Sequence, residues 1–212
     1  MNMLRIFRLS SAALLVALSA GCSVLGGEQR DPVTVYAPQV DVATDPSWPA
    51  VRWQLSVSHP TAARVVDSPR IAVRPAPNEL QVYRGASWSQ PPTDLVETTV
   101  LRALEDSGKI PSVGRSGVGI RADYKLVMDL RRFEADYAGA AVPSAVIDLN
   151  AKLLHTAEQR VVASRTFVQS QPAAGTEVPQ VTAAFDQALE RLGAELVGWT
   201  LVSGQADAQV KR

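Results

Sequence analysis

The amino-acid sequence predicts one α/β or α+β domain built on a mixed sheet. Three features predict it: strand-like alternating segments occur on both sides of a helical segment, two of these strands flank a short loop, and a long amphipathic helix follows them. Interleaved strands and helices are typical of mixed α and β folds, and a hairpin among them makes the sheet mixed. The length of 212 residues suits one folded domain with extensions.

The composition is that of a globular protein, with 46% hydrophobic and 20% charged residues. Its 21 basic and 21 acidic residues cancel, which disfavours a general nucleic-acid binder because such proteins usually carry a basic excess. Cys22 is the only cysteine, so an internal disulfide is excluded, and with two histidines a metal site would need mostly carboxylates. We therefore expect no metal and no cofactor.

Residues 1–21 are predicted to be a lipoprotein signal peptide. Arg5 and Arg8 precede an apolar run at residues 10–18, and the small residues 19–21 follow it. A positive start, a short apolar run and a small-residue cleavage site define a secretory signal. The run is shorter than the roughly 20 residues that a membrane-spanning helix needs, and no later stretch reaches that length.

Cys22 follows Ala20 and Gly21, an arrangement that resembles the lipobox of bacterial lipoproteins, although Ser19 stands where leucine is usual. In such proteins the thiol is diacylated, and two or more acyl chains hold a protein stably on a membrane. Ser23, in place of aspartate, favours the outer membrane under the enterobacterial sorting rule. We therefore predict lipidation at Cys22 and a position on the periplasmic face of the outer membrane. An ordinary signal peptide followed by a chance cysteine is the alternative.

Residues 22–49 are predicted to be the lipidated cysteine and a flexible tether, because four prolines and two glycines interrupt this stretch and no hydrophobic period is sustained. A flexible tether of about 27 residues has an end-to-end distance near 30 Å. The folded domain is predicted over residues 50–203. The polar residues 204–212 are predicted to be a disordered tail.

Alternation with a period of two predicts the strands. In chain order they are residues 52–57, 70–73, 79–84, a longer strand that starts at residue 124, and the segments 145–153 and 160–168. In the longer strand Leu126, Met128 and Leu130 share one face with Tyr124. The last two segments flank the short loop at residues 156–159 and therefore predict a hairpin.

Two helices are predicted. The first begins near Asp94, has Glu97 at capping-box spacing, and ends before Gly108. The second covers about residues 178–202. Its apolar stripe follows the helical period and is interpreted as core rather than as an interface: Val178, Val181, Phe185, Ala188, Leu192, Leu196 and Trp199.

The order and spacing of these segments, together with the lipobox, resemble the ABC-type transport auxiliary lipoproteins, the group that contains the paraquat-inducible C lipoprotein. Trp53, after a longer tether, stands where that family often has a Tyr-rich opening strand. The resemblance extends over about residues 52–202 and is carried by residues 68–73, 83–89, 104–108 and 124–137 and by the last helix, which ends in Trp199.

The resemblance implies a three-layer α/β sandwich with a mixed sheet. It also implies a non-enzymatic accessory subunit of a transport system. That system consists of an ABC permease, an ATPase and a mammalian-cell-entry (MCE) protein, and it moves lipids or other hydrophobic molecules between the two membranes. Direct contact with the MCE protein and a possible homo-oligomer are further expectations. The sequence has no GxxxxGK[ST] loop for phosphates. The alternatives are an envelope structural or assembly lipoprotein and, third, a lipoprotein hydrolase.

Two patterns could indicate catalysis or nucleotide binding, and both are interpreted as structural. Residues 117–122 match the GxGxxA pattern, but they follow a loop and precede a strand, whereas a dinucleotide site needs a strand before and a helix after. Residues 114–118 lack the last glycine of a GxSxG elbow. His155 is placed at a hairpin end and His59 in a loop, so neither is assigned as a catalytic base.

Acidic side chains on the long strand could also form a pair for acid–base work. Glu134 and Asp136 share a face, whereas Asp129 falls on the opposite face unless a bulge intervenes. We interpret these charges as solvated and assign no catalytic residue.

The aromatic residues Trp53, Trp88 and Tyr83 could form a partner-contacting patch, because tryptophan and tyrosine are enriched in binding hot spots. We interpret them instead as residues that fill the core or cover a sheet edge. The partner-binding residues therefore stay unknown from the sequence.

Overall fold

A mixed β-sheet and two helices make up the fold of the computed structural model, which describes residues 32–119 and 121–210. The chain divides into two units, residues 1–32 and 33–212, and every described strand and helix belongs to the second. The predicted signal peptide and Cys22 lie outside the described residues. The elements are β1 (Thr34–Tyr36), β2 (Leu55–Val57), β3 (Thr61–Ala62), β4 (Arg70–Arg74), β5 (Gln81–Trp88), α1 (Pro92–Asp106), β6 (Val113–Arg115), β7 (Tyr124–Asp136), β8 (Ser144–His155), β9 (Arg160–Pro172) and α2 (Val178–Val210).

The long strand β7 organises the sheet. It pairs in parallel with β2, β3 and β4 and antiparallel with β8, while β8 and β9 form the expected hairpin, closed by the pair His155 and Arg160. Neighbouring strands of the sheet follow the order β1–β5–β4–β7–β2–β6. The predicted α/β domain with a mixed sheet is therefore confirmed.

The core lies between the sheet and the two helices. Leu126, Met128 and Leu130 are at most 1% exposed, and their register partners on β8 are equally buried. From α2, Phe185 stacks on Phe133 at 4.7 Å between ring centroids, and Leu192 is 1% exposed. The interpretation of the α2 stripe as core is confirmed.

Helix α1 begins two residues earlier than expected, at Pro92, because proline is well suited to a first helical turn. The predicted capping box does not form: Pro91 is the N-cap, and Asp94 lies inside the first turn. The other end is as predicted, since Gly108 has a φ of 61°, which glycine adopts without steric cost.

The expectation of a free tether up to residue 49 is wrong for its described part. Strand β1 pairs in parallel with β5, and Val42 and Trp48 are each only 8% exposed. Two glycines of α2 make room for them: a Cβ at Gly193 would lie 2.8 Å from Val42, and one at Gly198 would lie 2.7 Å from Trp48. Burial of two large apolar side chains in these recesses favours ordering of the segment.

The expectation of a disordered tail from residue 204 is also wrong. Helix α2 continues to Val210, and Gly204 is buried beneath Trp53. Asp207 pairs with Arg160 and accepts a hydrogen bond from the Tyr124 hydroxyl at 2.9 Å. The last turns of α2 are polar, and contacts with residues distant in the sequence stabilise them as helix. Over the described residues, no helix has both the length and the apolar character needed to cross a membrane.

Candidate functional site

A cleft of about 510 Å³ opens where β7 starts and β8 ends, and it is the candidate binding site of the domain. Four parts of the chain meet there: the segment before β2, the start of β7, the end of β8 and the last turns of α2. Its lining residues are Ala50, Arg52, Trp53, Asp123, Tyr124, His155, Gln205 and Ala208.

Three aromatic rings form one wall of this cleft. Trp53 and Tyr124 meet edge to face with 4.9 Å between ring centroids, and Tyr124 and His155 meet in the same way at 5.2 Å. Trp53 is 5% exposed, and its Nε1 has no hydrogen-bond partner among the described residues. Burial first, and then the hydrogen bond to Asp207, raises the pKa of Tyr124, so this phenol stays neutral.

Hydrogen bonds and ion pairs fix the polar side of the cleft. Asp123 Oδ2 accepts a hydrogen bond from the backbone N–H of Gln54 at 2.8 Å. Arg160 forms ion pairs with both Glu158 and Asp207. His155 Nδ1 accepts a hydrogen bond from the backbone N–H of Glu158 at 3.3 Å, which confirms the interpretation of His155 as a hairpin-end residue. The lining residues offer aromatic and hydrogen-bonding contacts.

Glu134 and Asp136 are largely buried and ion-paired, which corrects the expectation of solvated charges for these two residues, whereas the side chain of Asp129 is half exposed as expected. Glu134 is 3% exposed and accepts hydrogen bonds at 2.7 Å from both Arg74 and Arg132, while Asp136 also pairs with Arg132. Burial by itself raises the pKa of Glu134, but the hydrogen bonds from the two arginines outweigh it and the net pKa is lowered. A carboxylate held ionised in this way is poorly suited to act as a general acid.

A register shift in β7 decides which acids share a face. The shift between Leu130 and Arg132 changes the buried parity, so that Phe133 and Ala135 continue the buried face. Asp129 therefore shares the opposite face with Glu134, as the sequence allowed if a bulge intervened. It contacts Thr61 and Arg131 rather than the acids.

The Glu134 ion pairs predict a loss of stability in acid. Since its folded-state pKa lies below the usual 4.5, Glu134 stabilises the fold above that value, and this contribution is lost as the pH falls through the lowered pKa. We expect Glu134→Gln to lower the free energy of unfolding by about 1–3 kcal/mol at neutral pH and to reduce its fall in acid. Urea unfolding at neutral pH and near pH 3 measures both. Exposed Glu190→Gln is the control, and an unchanged acid dependence in Glu134→Gln would contradict the assignment.

The aromatic residues considered as a possible patch are mainly core. Trp88 is 2% exposed and packs edge to face on Phe133 and Phe185, while Trp53 closes over Gly204. Tyr83 is half-buried, and burial first, then Tyr137, raises its pKa to about 12. The core interpretation is confirmed for the two tryptophans.

The remaining sequence patterns lie in loops. Gly117 and Gly119 adopt φ values of 95° and 80° in the turn between β6 and β7, and a strand rather than a helix follows them, as interpreted. Residue 120 of that pattern is outside the described residues. His59 lies in the loop between β2 and β3, where it contacts two carboxylates of α1.

Sequence reasoning missed the cleft. Trp53, Tyr124 and Asp207 are far apart in the chain, and no local pattern connects them. The one relevant signal was the alternation that starts at Tyr124, because it placed this residue at the end of a strand, where side chains from neighbouring strands can meet.

The domain is similar to a known protein family and to solved structures. The family model for the ABC-type transport auxiliary lipoprotein component matches residues 34–197. The crystal structure of a Xanthomonas campestris protein is 59% identical, with a TM-score of 0.81, and the match covers 84% of this chain and 99% of that one. A solved uncharacterized protein, 12% identical, has a TM-score of 0.61 over 78% of this chain and 97% of that one, which shows a shared fold alone.

A curated relative is longer than this chain. An uncharacterized protein of Bradyrhizobium diazoefficiens is 28% identical over 149 residues, which is 70% of this chain and 40% of that protein. The chain therefore matches less than half the length of this relative.

Proposed function

The chain belongs to the family of ABC-type transport auxiliary lipoprotein components, and we propose that it is a lipid-anchored accessory subunit of an ABC/MCE-type system. The system moves lipids or other hydrophobic molecules between the inner and outer membranes. The observation that carries the proposal is the family match over residues 34–197, which includes every strand of the sheet and most of α2.

The anchor in this proposal is Cys22, on the periplasmic face of the outer membrane. Since β1 begins at Thr34, about 11 residues separate Cys22 from the sheet, and even fully extended they would span at most about 40 Å. A domain held this near the bilayer is placed to meet a partner that delivers apolar cargo there. Ser23 after the cysteine supports the choice of the outer membrane.

The role we propose is non-enzymatic, and the MCE protein is the direct partner. The cleft residues support this role because they provide aromatic surface and hydrogen-bonding groups, and the hydroxyl of Tyr124 is engaged by Asp207. The ionised Glu134 is engaged by two arginines. Neither feature favours the hydrolase alternative.

Cross-linking in intact cells tests the proposal. The tagged lipoprotein is cross-linked in the envelope, purified under denaturing conditions and analysed by mass spectrometry, with a strain that expresses the untagged protein as the background control. We expect enrichment of an MCE protein first and of its permease and ATPase second. Reproducible enrichment of envelope structural or assembly proteins, without any of these three, would favour the alternative function.

A further inference from the structure

One histidine and two carboxylates converge at a point away from the cleft. His59 comes from the loop between β2 and β3, whereas Asp94 and Glu97 lie three residues apart on α1 and therefore on neighbouring positions of one helix face. Their potential ligand atoms all lie within 4.8 Å of one another. His59 Nδ1 is 3.1 Å from Glu97 Oε2 and 3.8 Å from Asp94 Oδ1.

These spacings fit a small tetrahedral cation. Zinc binds nitrogen and oxygen ligands at about 2.0–2.2 Å, so that two ligands of one tetrahedron lie about 3.3–3.6 Å apart. The distances of 3.1 and 3.8 Å from His59 Nδ1 lie just below and just above this range. One imidazole with two carboxylates is a donor set that zinc accepts, whereas magnesium and calcium prefer oxygen ligands in larger number.

We propose that His59, Asp94 and Glu97 form a zinc site whose fourth position is open to water. Glu97 is the fixed member, since its side chain is only 6% exposed, while His59 and Asp94 are about half exposed and leave the site accessible. The bound ion joins the β2–β3 loop to α1. Because the ion binds the folded arrangement, it stabilises the domain.

Arg115 orients the buried ligand. Its Nε lies 3.4 Å from Glu97 Oε1, whereas His59 contacts Oε2, and its guanidinium also reaches the Thr98 hydroxyl at 3.5 Å. Carboxylate ligands of metals are commonly held by such outer contacts. The two carboxylates and Arg115 together leave one net negative charge, which favours a divalent cation.

Titration of the mature full-length lipoprotein in detergent tests the site. The protein carries an affinity tag without histidine or cysteine, is treated with EDTA, and is titrated with Zn²⁺ by isothermal calorimetry. We expect one zinc per chain, a higher melting temperature with zinc, and loss of this binding in His59→Ala. Arg115→Ala is expected to keep the stoichiometry of one zinc per chain.

His155→Ala removes the only other histidine and is the matched control. It is expected to bind one zinc with the wild-type affinity. Failure of the wild type to bind zinc at one per chain, unchanged binding in His59→Ala, or equal affinity for Mg²⁺ would each overturn the proposal. The outcome is independent of the transport role, because the assay contains no partner protein.

Discussion

Replacing Cys22 with alanine is expected to abolish lipid attachment completely and to leave residues 1–21 on the protein. The thiol is the only atom in the chain that can form the thioether to the diacylglycerol, and removal of the signal peptide at a lipobox follows that modification. Without acyl chains the protein loses the apolar contacts, about 0.8 kcal/mol for each buried CH₂ group, that would hold it on the membrane. Metabolic labelling with palmitate and the size of the product measure both effects.

Ser23→Ala is the matched control for this anchor prediction. It changes the neighbouring residue but leaves the thiol and the small residues before it, so labelling and processing are expected to be unchanged. Palmitate incorporation into the Cys22→Ala protein would show that the lipobox interpretation is wrong. A wild-type protein that is cut after residue 21 but carries no palmitate would show the same.

Truncation of Leu192 to alanine is expected to lower the free energy of unfolding by about 2–5 kcal/mol. Leu192 is 1% exposed on the face of α2 that packs against the sheet, so the substitution removes apolar burial and leaves a cavity. Such a loss is a large share of the 5–15 kcal/mol that is typical of a whole domain. Urea unfolding followed by tryptophan fluorescence measures it.

Glu190→Ala on the same helix is the control for Leu192. Glu190 is exposed, so we expect its replacement to change the free energy of unfolding by less than about 0.5 kcal/mol. A Leu192→Ala variant that unfolds at the wild-type urea concentration would contradict the core assignment. Loss of a cross-linked partner in that stable variant would identify the stripe as an interface instead.

The central part of the sheet and the existence of both helices could be predicted from local patterns. Leu126, Met128 and Leu130 recur at every second position because one face of β7 is buried. The spacing of Phe185 and Leu192 follows the helical period because one side of α2 is buried. Each pattern reflects burial along a single element. Each pattern can therefore be recognised without knowing which other elements pack against that strand or helix.

The ends of the domain could not be predicted in this way. Prolines and glycines before residue 50 indicated a free tether, yet Val42 and Trp48 insert where Gly193 and Gly198 lack side chains. Polar residues after 203 indicated a frayed tail, yet Asp207 is held by Arg160 and Tyr124. Local composition does not show whether a distant segment offers a recess or a charge.

The sequence by itself determined the mixed α/β class, the hairpin, the apolar stripe of α2 and the resemblance that led to the family, because these depend on residues close together in the chain. Only the tertiary structure decided which side chains form the cleft and which form the zinc site that we propose. Trp53 meets Tyr124, and His59 meets Glu97, although several strands separate the members of each pair in the chain, so both contacts depend on the packing of the whole sheet. Chemistry that depends on such contacts becomes visible only after that packing is known.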